Sequence, residues 1–201
     1  MAGVRPPSTS IAAAEGPTRE DALIGCWLSP GWSSGVQAPE PPDWPGSGLS
    51  EPTRHSGLVL VARDRGGSTA GVCLYLVDTW CLVLKDAAGP RLTDRRRLDG
   101  FIQQIVSAWD EPAVQVPLEL GGQIVHGSIE YARELGFEPH PDFGRAAGYL
   151  GAWDGECELT FGREGKPVHI SGPYDDGERI IRKLHRSFGD GNYDFVHMIS
   201  G

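Results

Sequence analysis

Residues 70 to 87 read AGVCLYLVDTWCLVLKDA, and this stretch decides the fold. Apolar side chains occupy both alternating sets of positions, whereas a strand with one wet face would alternate apolar and polar residues. The stretch therefore predicts one long central strand, covered on both faces and interrupted by Asp78. On such a strand Cys73 and Cys81 would lie about 26 Å apart, too far for a disulfide bond.

Further strands are predicted on both sides of this stretch in the chain. ALIGCWLS (22–29) and GLVLVARD (57–64) precede it, and YDFVHMI (193–199) lies near the end of the sequence. CELTFG (157–162) and KPVHIS (166–171) are predicted to form a hairpin around residues 163–165.

Three helices are predicted from apolar spacing and end signals. The first covers 93–109, with Thr93 or Asp94 as its cap, and the second covers 117–135, with Gly136 after its last turn. The third lies within 172–189 and has Asp175 or Asp176 near its cap. Strands and helices are partly segregated along the chain, which predicts a single α+β domain over 21–201, with a mixed or antiparallel sheet packed against about three helices.

Two segments have too few apolar residues to form part of a core. Residues 1–20 are rich in Pro, Ala, Ser and Gly, and we expect a disordered tail. Residues 30–56 form a long Pro- and Gly-rich loop that carries Trp32 and Trp44. Long loops of this kind are often functional, and the two tryptophans are predicted to contact either the domain or a partner.

The charge of the chain argues against general nucleic-acid binding. The net charge is −9, so a polyanion would be repelled at long range. A local basic patch remains open as an alternative, because Arg95–Arg97 form one cationic run and residues 179–186 form another.

The composition also indicates the cellular location of the protein. The chain contains no run of about 18 apolar residues that could span a membrane, and its first residues lack the apolar core of a signal peptide. Its four cysteines include no CxxC pair, so we expect free thiols and a cytoplasmic location.

Residues 126–143, HGSIEYARELGFEPHPDF, contain the residues most typical of metal sites. His126 and Glu130 are four apart and therefore adjacent on a helix, and His140 and Asp142 follow in the next loop. The four are candidate metal ligands, although the spacing matches no established motif. The alternative is an ordinary polar rim on the solvent side of the second helix. The sequence identifies no cofactor.

Asp78 is the second candidate, as a general base. A carboxylate within an apolar stretch requires hydrogen bonds or an ion pair, and such acids occur at active sites. The alternative is a structural bend in which Asp78 accepts backbone N–H groups. Lys85 and Asp86 follow and are candidate binding residues. Asp154, Glu156 and Glu158 form an acidic patch that we expect to be solvated.

Several strings resemble a widespread family of bacterial proteins whose actinobacterial members are often labelled helix-turn-helix-containing. These strings are LYLVDTWCLVLKDA, GGQIVHGSIEYARELGFEPHPDF, LTFGREGKPVHISGPYDD and GDGNYDF, within residues 57–197. Val83 stands where the family strand has glycine. The resemblance implies a bacterial cytoplasmic setting and carries no activity with it. No recognition helix with a basic N-terminal face is visible in the sequence.

Three functions follow as hypotheses. The first is a regulatory or accessory protein that binds another macromolecule, most simply a protein, through the Trp-bearing loop. The second is a metal-dependent hydrolase or nuclease with ligands His126, Glu130, His140 and Asp142 and with Asp78 as the base. The third is nucleic-acid binding through the arginine runs.

Overall fold

A five-stranded antiparallel sheet forms the centre of the protein in a computed structural model that describes residues 22–38, 56–81, 83–109, 112–171 and 176–196. The predicted disordered tail, most of the loop at 30–56, and Trp44 lie outside these ranges. The spatial order of the strands is β4-β3-β2-β1-β5. Their bounds are Leu23–Leu28 (β1), Ser56–Asp64 (β2), Thr69–Asp78 (β3), Val83–Asp94 (β4) and Val114–Val116 (β5).

The stretch that decides the fold is a hairpin and not one strand. β3 ends at Asp78, and β4 runs back antiparallel beside it with Val77 opposite Leu84. The prediction of a single long strand is therefore wrong. The apolar pattern continued through the turn because the turn residues Trp80 and Cys81 are themselves buried. All four cysteines are free, as expected.

Two helices cover the two faces of the sheet. α1 (Leu98–Val106) packs Leu98, Ile102 and Val106 against one face. α2 (Leu118–Glu134) packs Leu120, Ile124 and Ile129 against the other. Coverage on both faces is confirmed for β3, where Val72, Cys73, Tyr75 and Val77 have no exposed surface, whereas β4 lies at the edge of the sheet and not in its centre.

The end signals of the second and third predicted helices are confirmed, but the first helix begins at Leu98 and not at 93, because strand β4 continues through Asp94. Asp94 accepts a hydrogen bond from the Arg96 N–H at 2.8 Å and caps a short 3-10 turn before α1. Gly136 follows α2 with a φ of 81°, a conformation that glycine adopts without strain. In α4 (Gly177–Phe188), Asp176 accepts from the Arg179 N–H at 3.0 Å. One further helix, α3 (Phe143–Ala146), was not predicted.

The predicted hairpin around residues 163–165 is correct only at its tip. Arg163 and Lys166 form an isolated antiparallel bridge. Beyond it, β6 (Val168–Ile170) pairs parallel with β7 (Asp194–Val196) in a separate two-stranded sheet. The architecture is α+β with an antiparallel main sheet in a single domain, as predicted. Among the described helices, none combines the length and apolar character needed to cross a membrane.

Candidate functional site

Helix α2 contains three glycines. Two of them allow other parts of the protein to pack against the helix backbone, and the third leaves open space beside it. A Cβ atom at Gly121 would lie 2.5 Å from Cys26 Sγ in the sheet, so the helix can pack this closely only without a side chain there. A Cβ at Gly127 would collide with Cys157 and lie 2.8 Å from the Phe161 ring. Gly122 differs, because a Cβ there would meet nothing within 4 Å.

A segment at residues 151–161 covers the side of α2 that was predicted to be a polar rim. The indole Nε1–H of Trp153 donates a hydrogen bond to Glu130 Oε1 at 2.6 Å. At the other end of the segment, the Glu158 N–H donates to Gln123 Oε1 at 3.2 Å. The Cys157 thiol also approaches the Gln123 carbonyl oxygen, at 3.7 Å. The segment is thus held to the helix at two points.

His126 lies between two aromatic rings. Its imidazole stacks on Trp153, with ring centroids 5.0 Å apart and an angle of 13° between the planes. Phe143 of α3 meets the imidazole edge-on, with centroids 5.7 Å apart. Burial lowers the pKa of His126, and the neighbouring Glu130 carboxylate opposes this change. The Nε2 atom is buried without a hydrogen-bond partner. Because burial favours the neutral imidazole, His126 adds no positive charge to the pocket beside it.

A pocket of about 140 Å³ lies between α2 and the covering segment. Gly122, Gln123 and His126 line it from the helix, and Trp153 lines it from the segment. Four carboxylates also line it, namely Glu119, Asp154, Glu156 and Glu158, and the remaining lining residues are apolar (Leu118, Leu150 and Ala152). None of the described residues that line this pocket is Lys or Arg. The pocket is therefore a negatively charged cleft beside a fixed indole ring, a setting suited to a cationic group.

The four predicted metal ligands do not converge. His126 and Glu130 are adjacent on α2, but both are engaged with Trp153. His140 lies elsewhere, with its Nδ1 atom 4.0 Å from Asp86 Oδ1 and 3.9 Å from Asp142 Oδ2. Within the described residues, no group of three or more His, Cys, Asp or Glu side chains is placed to hold a metal ion. The helical spacing makes His126 and Glu130 neighbours, and His140 and Asp142 form a separate pair on the following loop.

Asp78 stabilises the turn between β3 and β4. Its Oδ1 atom accepts hydrogen bonds from the N–H groups of Trp80 at 3.0 Å and Cys81 at 3.1 Å. Its Oδ2 atom lies 3.7 Å from Lys85 Nζ. These contacts agree with the alternative interpretation, in which Asp78 holds a bend in the chain. Lys85 is its ion-pair partner. Asp86 is exposed beside His140.

Trp32 packs on its own domain, which is one of the two outcomes predicted for it, so it is not available as a surface contact. Its side chain is 4% exposed and belongs to the core cluster on the α2 side of the sheet. Trp44, the second tryptophan of the loop, lies outside the described residues. The aromatic residue at the pocket is Trp153 instead, which sequence reasoning missed.

The sequence contained a signal for this pocket that is visible only in retrospect. The acidic residues Asp154, Glu156 and Glu158 alternate directly after Trp153, a pattern that was predicted to be merely solvated. Two adjacent glycines at 121 and 122 within an otherwise regular helix were the second sign, because glycine in a helix interior costs about 1 kcal/mol relative to alanine.

Comparison of the chain with protein-family models, with curated proteins and with solved structures found no significant match in any of the three. The resemblance to the bacterial family described above therefore stays a prediction.

Proposed function

We propose that the protein is a binding protein that docks a basic segment of a protein partner in the acidic pocket on helix α2. The observation that carries the proposal is the pocket itself, where four carboxylates surround a cleft beside the Trp153 ring. Complementary charge steers partners to such a surface and selects among them. This role keeps the leading hypothesis from the sequence and moves the contact from the loop at 30–56 to α2.

The state of the polar groups around the pocket supports binding in preference to catalysis. Glu130 is committed to the Trp153 indole, and His126 is packed between two rings. Asp78, the candidate base, is committed to its own turn and to Lys85. Glu130 and His126 stabilise the packing of Trp153 that shapes the pocket, whereas Asp78 stabilises a turn outside the pocket lining.

The sign of the charge favours a basic protein segment over a nucleic acid as the partner. A phosphate backbone would be repelled by the carboxylates at the pocket, and the chain as a whole carries a net charge of −9. A lysine- or arginine-rich segment would be attracted, and its binding would weaken as salt screens the charges.

Charge reversal tests the proposal. Fluorescence anisotropy would measure binding of labelled ten-residue peptides rich in Lys and Arg, with a single-stranded oligonucleotide as the competing class. We expect the double variant Glu156→Lys/Glu158→Lys to weaken peptide binding roughly tenfold or more, since each lost charge contact contributes up to about 1 kcal/mol.

The matched control is Glu138→Lys/Glu178→Lys, which changes the net charge by the same amount at exposed positions outside the pocket lining. Its peptide affinity should remain near that of the unmodified protein. Equal losses in both double variants, or binding of the oligonucleotide in place of the peptides, would reject the proposal.

A further inference from the structure

We infer that the pocket on helix α2 accepts a single guanidinium group, so that one arginine of the partner inserts beside Trp153 and over Gly122. This inference rests on the proposed function and specifies the side chain that anchors the partner. Three observations carry it: the open space at Gly122, the fixed orientation of Trp153, and the arrangement of acceptors around the cavity.

Gly122 is the one glycine of α2 whose presence packing does not explain. Gly121 and Gly127 allow close approach of Cys26 and of the Cys157–Phe161 region, respectively. At Gly122 a side chain would meet no atom within 4 Å, yet the position lines the pocket. Since alanine would favour the helix by about 1 kcal/mol, retaining glycine here is explained if the space is used by a ligand.

The size of the cavity fits the end of an arginine side chain. The volume is about 140 Å³. An engineered protein cavity of about 150 Å³ binds benzene, which has six heavy atoms. A guanidinium group with its adjoining methylene groups has a similar number. A whole peptide segment would not enter, so the pocket would hold one side chain while the rest of the segment lies across the acidic rim.

Trp153 is already oriented before any ligand arrives. Its indole nitrogen is bonded to Glu130, and one face of its ring packs on His126. A ring held in this way loses little rotational freedom on binding, which favours affinity. Planar guanidinium groups pack well on aromatic surfaces and are only weakly hydrated, whereas an ammonium group is compact and strongly hydrated.

The acceptors around the cavity favour guanidinium over other cations. Carboxylates approach it both from the helix, at Glu119, and from the covering segment, at Glu156 and Glu158. A guanidinium group has five N–H donors in a fixed plane and can address acceptors on different sides. A quaternary ammonium requires a cage of several aromatic rings, and Trp153 is the only Phe, Tyr or Trp among the described lining residues.

The test uses N-acetyl-arginine amide as the probe, with N-acetyl-lysine amide and N-acetyl-citrulline amide as matched comparisons. Binding is followed by nuclear magnetic resonance through the indole N–H signal of Trp153, which is assigned by its disappearance in Trp153→Phe. We expect the arginine probe to shift this signal in a saturable way and to bind about tenfold more tightly than the lysine probe. Neutral citrulline should leave the signal unchanged.

Gly122→Ala places a methyl group in the space where the guanidinium group would lie and should weaken the arginine-dependent shift. Gly100→Ala is the matched control, because Gly100 also lies in a helix where an added Cβ meets nothing within 4 Å. Both substitutions favour the helix, so loss of folding does not confound the comparison. Binding in Gly122→Ala equal to that in Gly100→Ala would overturn the inference, as would equal binding of lysine and arginine or no shift with any probe.

Failure of this inference is distinguishable from failure of the proposed function. If the basic peptides still bind Gly122→Ala but not Glu156→Lys/Glu158→Lys, the acidic surface binds the partner without a guanidinium pocket. If the basic peptides do not bind the unmodified protein, the proposed function itself is wrong.

Discussion

The indole nitrogen of Trp153 donates a hydrogen bond to the Glu130 carboxylate at 2.6 Å, and this contact joins the covering segment to the helix beneath it. The two residues are 23 positions apart in the chain. Because the bond also holds the Trp153 ring against His126, it controls the shape of the proposed binding pocket.

We expect this bond to contribute measurably to stability. Hydrogen bonds to charged groups contribute about 1.5–3 kcal/mol, so Glu130→Ala should lower the free energy of unfolding by about that amount. In a double-mutant cycle, Glu130→Ala and Trp153→Phe should show a coupling of about 1 kcal/mol or more in urea unfolding. Glu134→Ala, one turn later on an exposed position, is the control and should change stability by less than about 0.5 kcal/mol. If the losses of stability caused by Glu130→Ala and Trp153→Phe simply add, the hydrogen bond between the two side chains does not stabilise the protein.

Stability should also depend on the ionisation of His126. Burial lowers its pKa in the folded protein, whereas an unfolded histidine has a pKa of about 6.5. Below pH about 6.5 the unfolded chain therefore binds more protons than the folded protein, so the contribution of His126 to stability is fully present above that pH and is lost as the pH falls through the folded pKa.

The variant His126→Phe keeps a ring in the stack but cannot titrate. Urea unfolding of both proteins at pH 7.5 and pH 5.5 isolates the effect, because the other histidines are common to both. We expect the unmodified protein to lose more stability than His126→Phe on acidification. An equal or smaller loss would show that Glu130 outweighs burial at this position.

Much of the fold could be predicted because its signals are local. The ends of α2 and α4 were marked by Gly136 and Asp176, which act on the neighbouring backbone alone. The β3–β4 turn was missed because it contains neither Gly nor Pro, and its geometry is fixed by the Asp78 side chain.

The pocket was missed for a different reason. Helical periodicity identified the polar side of α2, but only tertiary packing brings residues 151–161 over it.

Asp78 should prove essential to the turn and irrelevant to binding. Its side chain is almost fully buried and accepts two backbone hydrogen bonds, so Asp78→Ala leaves two N–H groups and Lys85 without this partner. We expect a loss of about 3 kcal/mol or more in the free energy of unfolding. Asp78→Asn keeps an oxygen acceptor and should lose clearly less. Both folded variants should bind the basic peptides normally, and loss of binding by Asp78→Asn at unchanged stability would restore a functional role for the carboxylate.

The cysteines should differ in their reactivity with alkylating reagents. Burial raises the pKa of Cys26 and Cys73 to about 12, and both thiols lie in the core, so almost no reactive thiolate is present at neutral pH. Cys157 is half-buried on the covering segment, and its pKa is raised as well. Iodoacetamide followed by peptide mass mapping should therefore modify Cys157 slowly and first, with Cys26 and Cys73 modified only on unfolding. Early modification of Cys26 would contradict the packing of α2 on the sheet.

The adjacent glycines 121 and 122 should respond to the same substitution with opposite signs. A Cβ at Gly121 would lie 2.5 Å from Cys26 Sγ, so Gly121→Ala must displace the helix or the strand and should cost about 1–3 kcal/mol. A Cβ at Gly122 enters open space, so Gly122→Ala should stabilise the protein by up to about 1 kcal/mol through helix propensity.

A second substitution tests whether the cost of Gly121→Ala comes from the contact between the new Cβ and Cys26 Sγ or from a general sensitivity of the helix to substitution. Cys26→Ala removes the sulfur atom that the new Cβ would meet, so Gly121→Ala should cost clearly less in a Cys26→Ala background than in the unmodified protein. Thermal and urea unfolding of the four proteins in this cycle give the coupling directly. If Gly121→Ala costs as much stability in the Cys26→Ala background, the contact with Cys26 is not the cause of the cost. Destabilisation by Gly122→Ala would show that the space beside it closes in the absence of a ligand.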